Sequence, residues 1–266
     1  MTAIALTIAG SDSGGGAGIQ ADIKTFSALE TFATSVITAV TAQNTTGVTA
    51  VEDISCGLIA AQMAAVFSDM DVRALKIGMV SRVETIETIA AGLVGFSGPV
   101  VLDPVMVATS GDRLLREEAI DALRTVLVSR AAIVTPNLPE AALLAGTPIA
   151  HDRAAVTKQA EAILKAGAAS VLIKGGHGEG PESIDLLFDG QSVRAFAAPR
   201  IATRNDHGTG CTLAAAITAH LARGYALVEA VSLSKTYLHQ ALEAGRGVAI
   251  GKGRGPVHHF YRWWTA

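Results

Sequence analysis

Short β-type runs alternate with helical runs along almost the whole chain, and no other feature limits the fold as far. Residues 3–10 (AIALTIAG) are apolar and nearly continuous, as a strand buried on both faces must be. Ile19, Ile23, Phe26 and Leu29 then recur at helical spacing. Residues 35–45 (SVITAVTAQNT) return to β-branched side chains. The pattern predicts a helix over 56–69, a strand over 72–79, a helix over 82–94 and a strand over 99–106. Ser81 and Glu84 have capping-box spacing at the second of these helices. A helix near 116–128, a strand at 131–137, a helix near 152–166 and a strand at 170–176 follow. Asp189-Gly190, between IDLLF and QSVRAF, signals a hairpin and an antiparallel pair near a sheet edge. Helices over about 211–223 and 226–244 end the series. With no linker or repeat in view, the reading is α/β: one domain over 1–266, a mostly parallel sheet with helices on both faces.

Charge and cysteine usage narrow the function classes. The formal net charge of −3 and pI of about 6.2 argue against a nucleic-acid partner, which calls for a basic excess. No apolar run reaches the length of a membrane span, and the amino-terminal MTAIALTIAGSDS lacks the basic segment of a signal peptide. Cys56 and Cys211, the two cysteines, make neither a disulfide framework nor a zinc cluster. A cytoplasmic enzyme with no membrane partner is the expectation. Cys56, inside an apolar helical run, reads as core.

In such sheets ligands sit where the strands end. The first strand leads into GSDSGGGAGIQAD, where Gly16, Gly18 and Ala21 match the dinucleotide pattern G-x-G-x-x-A. The pattern starts six residues beyond Gly10, and the next strand ends in Gln43-Asn44-Thr45 with no acid for a ribose. Gln43 donates and accepts at once, which suits a heterocycle with an amino group beside a ring nitrogen; a turn glutamine is the alternative. Gly78 and Met79 offer a floor for an aromatic ligand. Asp103 lies in an apolar run and calls for a cation, whether metal or lysine. The polar stretch 108–112 after it suits a lid. Asn137 and Glu140 are oxygen donors of the kind Mg²⁺ takes, or else a helix cap. Lys174 stands at a strand end before glycines, a place to meet a nucleotide phosphate. No G-x-x-x-x-G-K-[ST] occurs, which excludes a P-loop.

The stretch NDHGTGCTLAAA sets Gly208, Thr209 and Gly210 directly before Cys211 and an alanine-rich helix. Backbone N–H groups at such a turn form an anion hole. A thiol there is expected to have a lowered pKa and to act on a substrate hydroxyl. The alternatives are a small residue under a tight turn and a Cys-His nucleophile with His207.

These stretches, with SGDRLL, TPNLPEAALL, KGGH, HGTGCTLAAAI and GKGRGPVHHF in order, resemble the hydroxymethylpyrimidine/phosphomethylpyrimidine kinases of thiamine biosynthesis, within the ribokinase-like superfamily. The resemblance implies a three-layer αβα fold and two successive ATP-dependent phosphorylations. The first acts on 4-amino-5-hydroxymethyl-2-methylpyrimidine and the second on its monophosphate. It places Gln43, Gly10, Asp22, Met79 and Val105 on the pyrimidine and Gly208, Thr209, Gly210 and Cys211 at the anion hole. It gives Asn137, Glu140 and Lys174 to Mg²⁺ and ATP, with Asp103 and Glu140 near the metal. It also implies a homodimer and leaves room for a monovalent cation. Two positions depart from the family: Asp206 stands where a threonine is usual, and ETF at 30–32 lacks an expected glycine. A pyridoxal-type vitamin kinase is the nearest competing reading, weakened because the lid stretch VMVATSGDRLL holds no cysteine. A dinucleotide oxidoreductase and a vitamin-binding protein are the others.

Overall fold

The computed structural model describes residues 2–106, 117–176 and 180–264. The lid stretch 108–112 lies outside them. The predicted alternation is present. The elements run β1 (Ile4–Asp12), α1 (Gly18–Ala28), β2 (Phe32–Asn44), β3 (Gly47–Asp53), α2 (Cys56–Asp69), β4 (Ala74–Ile77), α3 (Val83–Gly92) and β5 (Val100–Leu102). After α4 (Glu117–Ala122), one π turn (Leu123–Leu127) and a 3-10 turn (Val128–Arg130) carry the helical run on. Then follow β6 (Ile133–Val134), α5 (Leu138–Ala145), α6 (Arg153–Lys165), β7 (Val171–Ile173), β8 (Glu182–Phe188), β9 (Val193–Pro199), α7 (Thr209–Ala222) and α8 (Leu227–Gly245).

Among the described residues nine strands form one sheet in the order β3-β2-β1-β4-β5-β6-β7-β8-β9. The central pairs are parallel, and β3, β8 and β9 join antiparallel at the two edges. Asp189-Gly190 turns β8 into β9, as the sequence predicts. Alternate strand residues feed opposite layers. Leu6, Ile8, Leu75 and Ile77 pack with Ile59, Met63, Ile86 and Ile163 on one face. Ala5 and Ala74 meet Phe26 of α1, Ala215 and Ala219 of α7, and Tyr237 of α8 on the other. The alanines let α7 lie close against the strands, which explains a helix with no charged residue. The result is the three-layer αβα sandwich.

From β1 the chain crosses to β2 on one side and later returns to β4 on the other. That reversal opens a crevice at the carboxyl ends of β1 and β4, the place where such sheets hold ligands.

Two local expectations are corrected. Ser81 and Glu84 do not cap α3: Arg82 is its N-cap, Ser81 Oγ donates to Asp53 2.7 Å away, and Glu84 pairs with Arg82. A partner outside the helix competes for the serine. Cys56 is half-buried at the first position of α2, while Ile59 and Met63 fill the core.

Candidate active site

A cleft of about 690 Å³ occupies the crevice. Gly10 and Met79, from the ends of β1 and β4, line its floor, and Gln43 and Val105 line it too. A Cβ on Gly10 would stand 2.6 Å from Met79 Cε, so only glycine leaves Met79 its place. Asp22 is not at this surface. It is fully buried beneath, where both carboxylate oxygens accept from Lys76 Nζ at 2.7 and 2.8 Å and Oδ2 accepts from Thr7. Burial alone favours discharge of Lys76, but the Asp22 carboxylate holds it protonated above its usual range. Lys76, which the sequence reading passed over, lines the cleft. A lysine within the apolar strand ALKIG was the available signal.

The glycine-rich loop after β1 is not an open phosphate cradle. Asp12 Oδ1 accepts from Gly14 N–H, and Oδ2 accepts from Gly16 and Ala17 N–H at 3.0 and 2.8 Å. His207 Nε2 lies 3.0 Å from the same Oδ2. Burial works against this charge, yet His207 and the backbone donors hold Asp12 below the usual carboxylate range. The chain's own carboxylate fills the place a pyrophosphate would need, which removes the dinucleotide reading. Asp12 two residues before the glycines is an Asx-turn signal that the sequence reading missed.

The turn that the sequence reads as an anion hole opens α7. Gly208 is its N-cap with φ 77°, and a side chain there would run into the Gly16 carbonyl oxygen. Gly210 and Cys211 occupy the first turn, whose N–H groups have no acceptor within the helix. Gly210 itself is helical, so its need for glycine is spatial. A Cβ there would stand 3.3 Å from Lys174 Nζ and 3.8 Å from Asp103 Oδ2.

The thiol differs from expectation. Burial pushes Cys211 up to about 11; Lys76 opposes the rise, while Asp22 and Asp103 add to it. Desolvation and two carboxylates outweigh the helix terminus, so the thiol is protonated at neutral pH.

At the same end, Lys174 Nζ bonds Asp103 Oδ1 at 2.9 Å and lies 3.7 Å from Glu140 Oε2. Burial works against the Asp103 charge, but Lys174 and Lys76 keep its carboxyl below its usual range. Asp103 Oδ2 is buried without a hydrogen-bond partner among the described residues. Asn137 and Glu140 do form a capping box on α5: Asn137 Oδ1 accepts from Glu140 N–H and Glu140 Oε2 from Asn137 N–H. Burial lifts Glu140 to about 6, against the pull of Lys174. Besides the capping bond, the Glu140 carboxylate accepts from the Met106 backbone N–H. Asp206 is held by Arg254 through two contacts, which offset its charge just ahead of α7.

Residues 12–258 match the family model described as Phosphomethylpyrimidine kinase. The chain is 64% identical over 264 residues to the hydroxymethylpyrimidine/phosphomethylpyrimidine kinase of Rhizobium meliloti, covering 99% of each. It is 46% identical over 255 residues to the thiamine biosynthesis bifunctional protein ThiED of Geobacter sulfurreducens, covering 96% of this chain and 51% of that one. Among solved structures it resembles the pyridoxal kinase of Staphylococcus aureus in complex with AMP-PCP. That match has a TM-score of 0.91 and 33% identity, and covers 100% of this chain and 96% of the other.

Proposed function

The chain belongs to the phosphomethylpyrimidine kinase family, and on that premise we propose how its cleft performs the family's two phosphorylations. It is an ATP-dependent kinase of thiamine biosynthesis, acting on hydroxymethylpyrimidine and then on its phosphate. The observation that carries the assignment of roles is one cleft lined both by Gln43 and Met79 and by Gly210 and Cys211 at the start of α7.

In our reading, Gln43 hydrogen-bonds the amino group and ring nitrogen of the pyrimidine, and Gly10, Met79 and Val105 support its face. The hydroxymethyl group then meets Cys211. The Gly210 and Cys211 N–H groups stabilise charge that builds on the transferring phosphoryl oxygens. Lys174 neutralises charge on the same group from the opposite side. Lys76, fixed by Asp22, sets a positive charge beside Cys211 and limits the cost of ionising it. Asp22 therefore acts through Lys76, not by touching the substrate. In its minor thiolate form Cys211 accepts the proton of the substrate hydroxyl. The second transfer needs no such base, because a phosphate oxygen is already deprotonated near neutral pH.

The unpartnered Asp103 Oδ2, beside Gly210, suits Mg²⁺, and Glu140 is the second oxygen donor, directly or through water. When bound, the ion supplies positive charge to the phosphates. We place the enzyme in the cytoplasm as a homodimer. The exposed face of α2, with Leu58, Ala61, Ala64 and Ala65, and exposed Val40 support that assembly. The functional test is phosphate transfer from ATP to both pyrimidines, with mono- and diphosphate products resolved and K⁺ exchanged for Na⁺. Transfer to neither pyrimidine overturns the reading; a rate unchanged between the two ions removes a specific monovalent cation from it.

A further inference from the structure

The contacts around Gln43 determine which way round its amide stands. The two ends of an amide are alike in shape and are told apart by their partners. The Nε2 position lies 3.3 Å from His207 Nε2, and the Oε1 position lies 3.3 Å from Thr41 Oγ1. Thr41 Oγ1 donates its one hydrogen to the Ser11 carbonyl oxygen at 2.8 Å, so only lone pairs remain for Gln43. Asp12 is an ionised carboxylate and can only accept, so His207 Nε2, 3.0 Å from it, carries a hydrogen. As placed, a donor meets a donor at His207 and an acceptor meets an acceptor at Thr41. Turning the amide over corrects both contacts at once. Oε1 then accepts from His207 Nε2–H, shared with Asp12, and Nε2 donates to Thr41.

We propose that His207 is a positioning residue that, with Thr41, locks the Gln43 amide with Oε1 toward His207 and Nε2 toward Thr41, and thereby sets the direction of the bound pyrimidine. The inference rests on Gln43 reading the pyrimidine edge. The free lone pair of Oε1 accepts from the 4-amino group, and the free hydrogen of Nε2 goes to the adjacent ring nitrogen. In the substrate, the amino-bearing carbon lies between that nitrogen and the carbon bearing the hydroxymethyl. With the amino group on the His207 side, the hydroxymethyl is directed past His207, toward Gly208–Cys211, the residues that follow it in the chain. The reverse amide would turn the ring over and direct the hydroxymethyl away. The lock also sets selectivity. A 4-oxo analogue presents an acceptor beside an N–H and matches only the reverse amide. Asp12, anchored by three backbone N–H groups, keeps the His207 ring in place.

The experiment compares kcat/KM for the 4-amino substrate and its 4-oxo analogue. The wild-type ratio is expected at about 10²-fold or more in favour of the amino compound, since the wrong edge leaves two buried groups mismatched. His207→Leu and Thr41→Val should each lower the ratio at least tenfold, through KM for the pyrimidine, with KM for ATP unchanged. His207→Gln, which returns an N–H near the Nε2 position, should keep it. A ratio unchanged in Gln43→Ala discards the edge assignment and the inference with it. A ratio lost in Gln43→Ala but kept in His207→Leu and Thr41→Val discards the lock alone. The wild-type tautomer gives a check free of folding effects: ¹⁵N NMR should show His207 protonated at Nε2, and a bare Nε2 overturns the proposal.

Discussion

Gly210→Ala is expected to move activity and stability in opposite directions. Gly210 lies in the first turn of α7 and is absent from the positive-φ glycines, so alanine fits its backbone. Replacing a helical glycine by alanine stabilises by about 0.5–1 kcal/mol, with the lower figure suited to a first turn. For a chain of this size that corresponds to roughly a 1–3 °C rise in melting temperature. The new methyl, however, would stand 3.3 Å from Lys174 Nζ and 3.8 Å from Asp103 Oδ2, in the gap between the helix N-terminus and the ion pair. In the proposed mechanism that gap holds the phosphoryl oxygens. Loss of one anion-hole contact costs about 10²–10³-fold in kcat. Gly208→Ala is the control. At φ 77° its methyl meets the Gly16 carbonyl oxygen, so stability itself should fall. Calorimetry and steady-state ATP turnover on both variants provide the comparison. Near-wild-type turnover in a folded Gly210→Ala enzyme refutes the anion-hole assignment.

With the thiol near 11, kcat for the first phosphorylation should rise about tenfold per pH unit between pH 7 and 9, while the second stays nearly flat. Cys211→Ala should flatten the first profile; a flat wild-type profile excludes the thiolate as base. Glu140→Gln keeps an oxygen for the Asn137 N–H, so its melting temperature should hold while the Mg²⁺ requirement rises; Glu140→Ala loses the cap and about 1 kcal/mol. Unchanged Mg²⁺ dependence in Glu140→Gln limits Glu140 to the cap, Lys174 and the Met106 N–H. His259 is buried and lowered to about 3 by desolvation, so the unfolded chain takes up its proton first as pH falls below about 6.5. That removes about 2 kcal/mol between pH 8 and pH 5, and His259→Asn should abolish that share of the acid sensitivity in denaturant titrations.

Local patterns made the central strands and the β8–β9 hairpin legible, because buried parallel strands read as apolar runs and Asp189-Gly190 is a local turn signal. β3 carried no such mark. It is an edge strand with no buried residue, and it forms only because β2 offers it a register. The capping boxes show the same limit more sharply. Ser81/Glu84 and Asn137/Glu140 have the same spacing, yet only the second pair closes, since Asp53 takes the Ser81 hydroxyl. No local rule holds that information.

The site divides along the same line. Glycines and the helix start announce the turn that opens α7, where we propose the anion hole, because the backbone itself makes that turn. Side-chain roles depend on charges brought in from distant segments. Asp22 looked like a substrate ligand but is spent on Lys76, 54 residues away in sequence. Cys211 looked like an acidified thiol at a helix N-terminus, but burial reverses the shift, with Asp22 and Asp103 adding to it. Asp12 carried no expectation, yet it fills the glycine-rich loop and reaches His207, 195 residues on. In each case a buried carboxylate contributes: Asp22 keeps Lys76 charged, Asp22 and Asp103 add to the burial that keeps Cys211 neutral, and in the proposed lock Asp12 keeps His207 protonated at Nε2. The order of causes thus runs from buried carboxylates to the groups that face the cleft, and only then to substrate. Removing Asp12 should therefore disturb pyrimidine selectivity through His207 even though Asp12 makes no contact with the base in this arrangement.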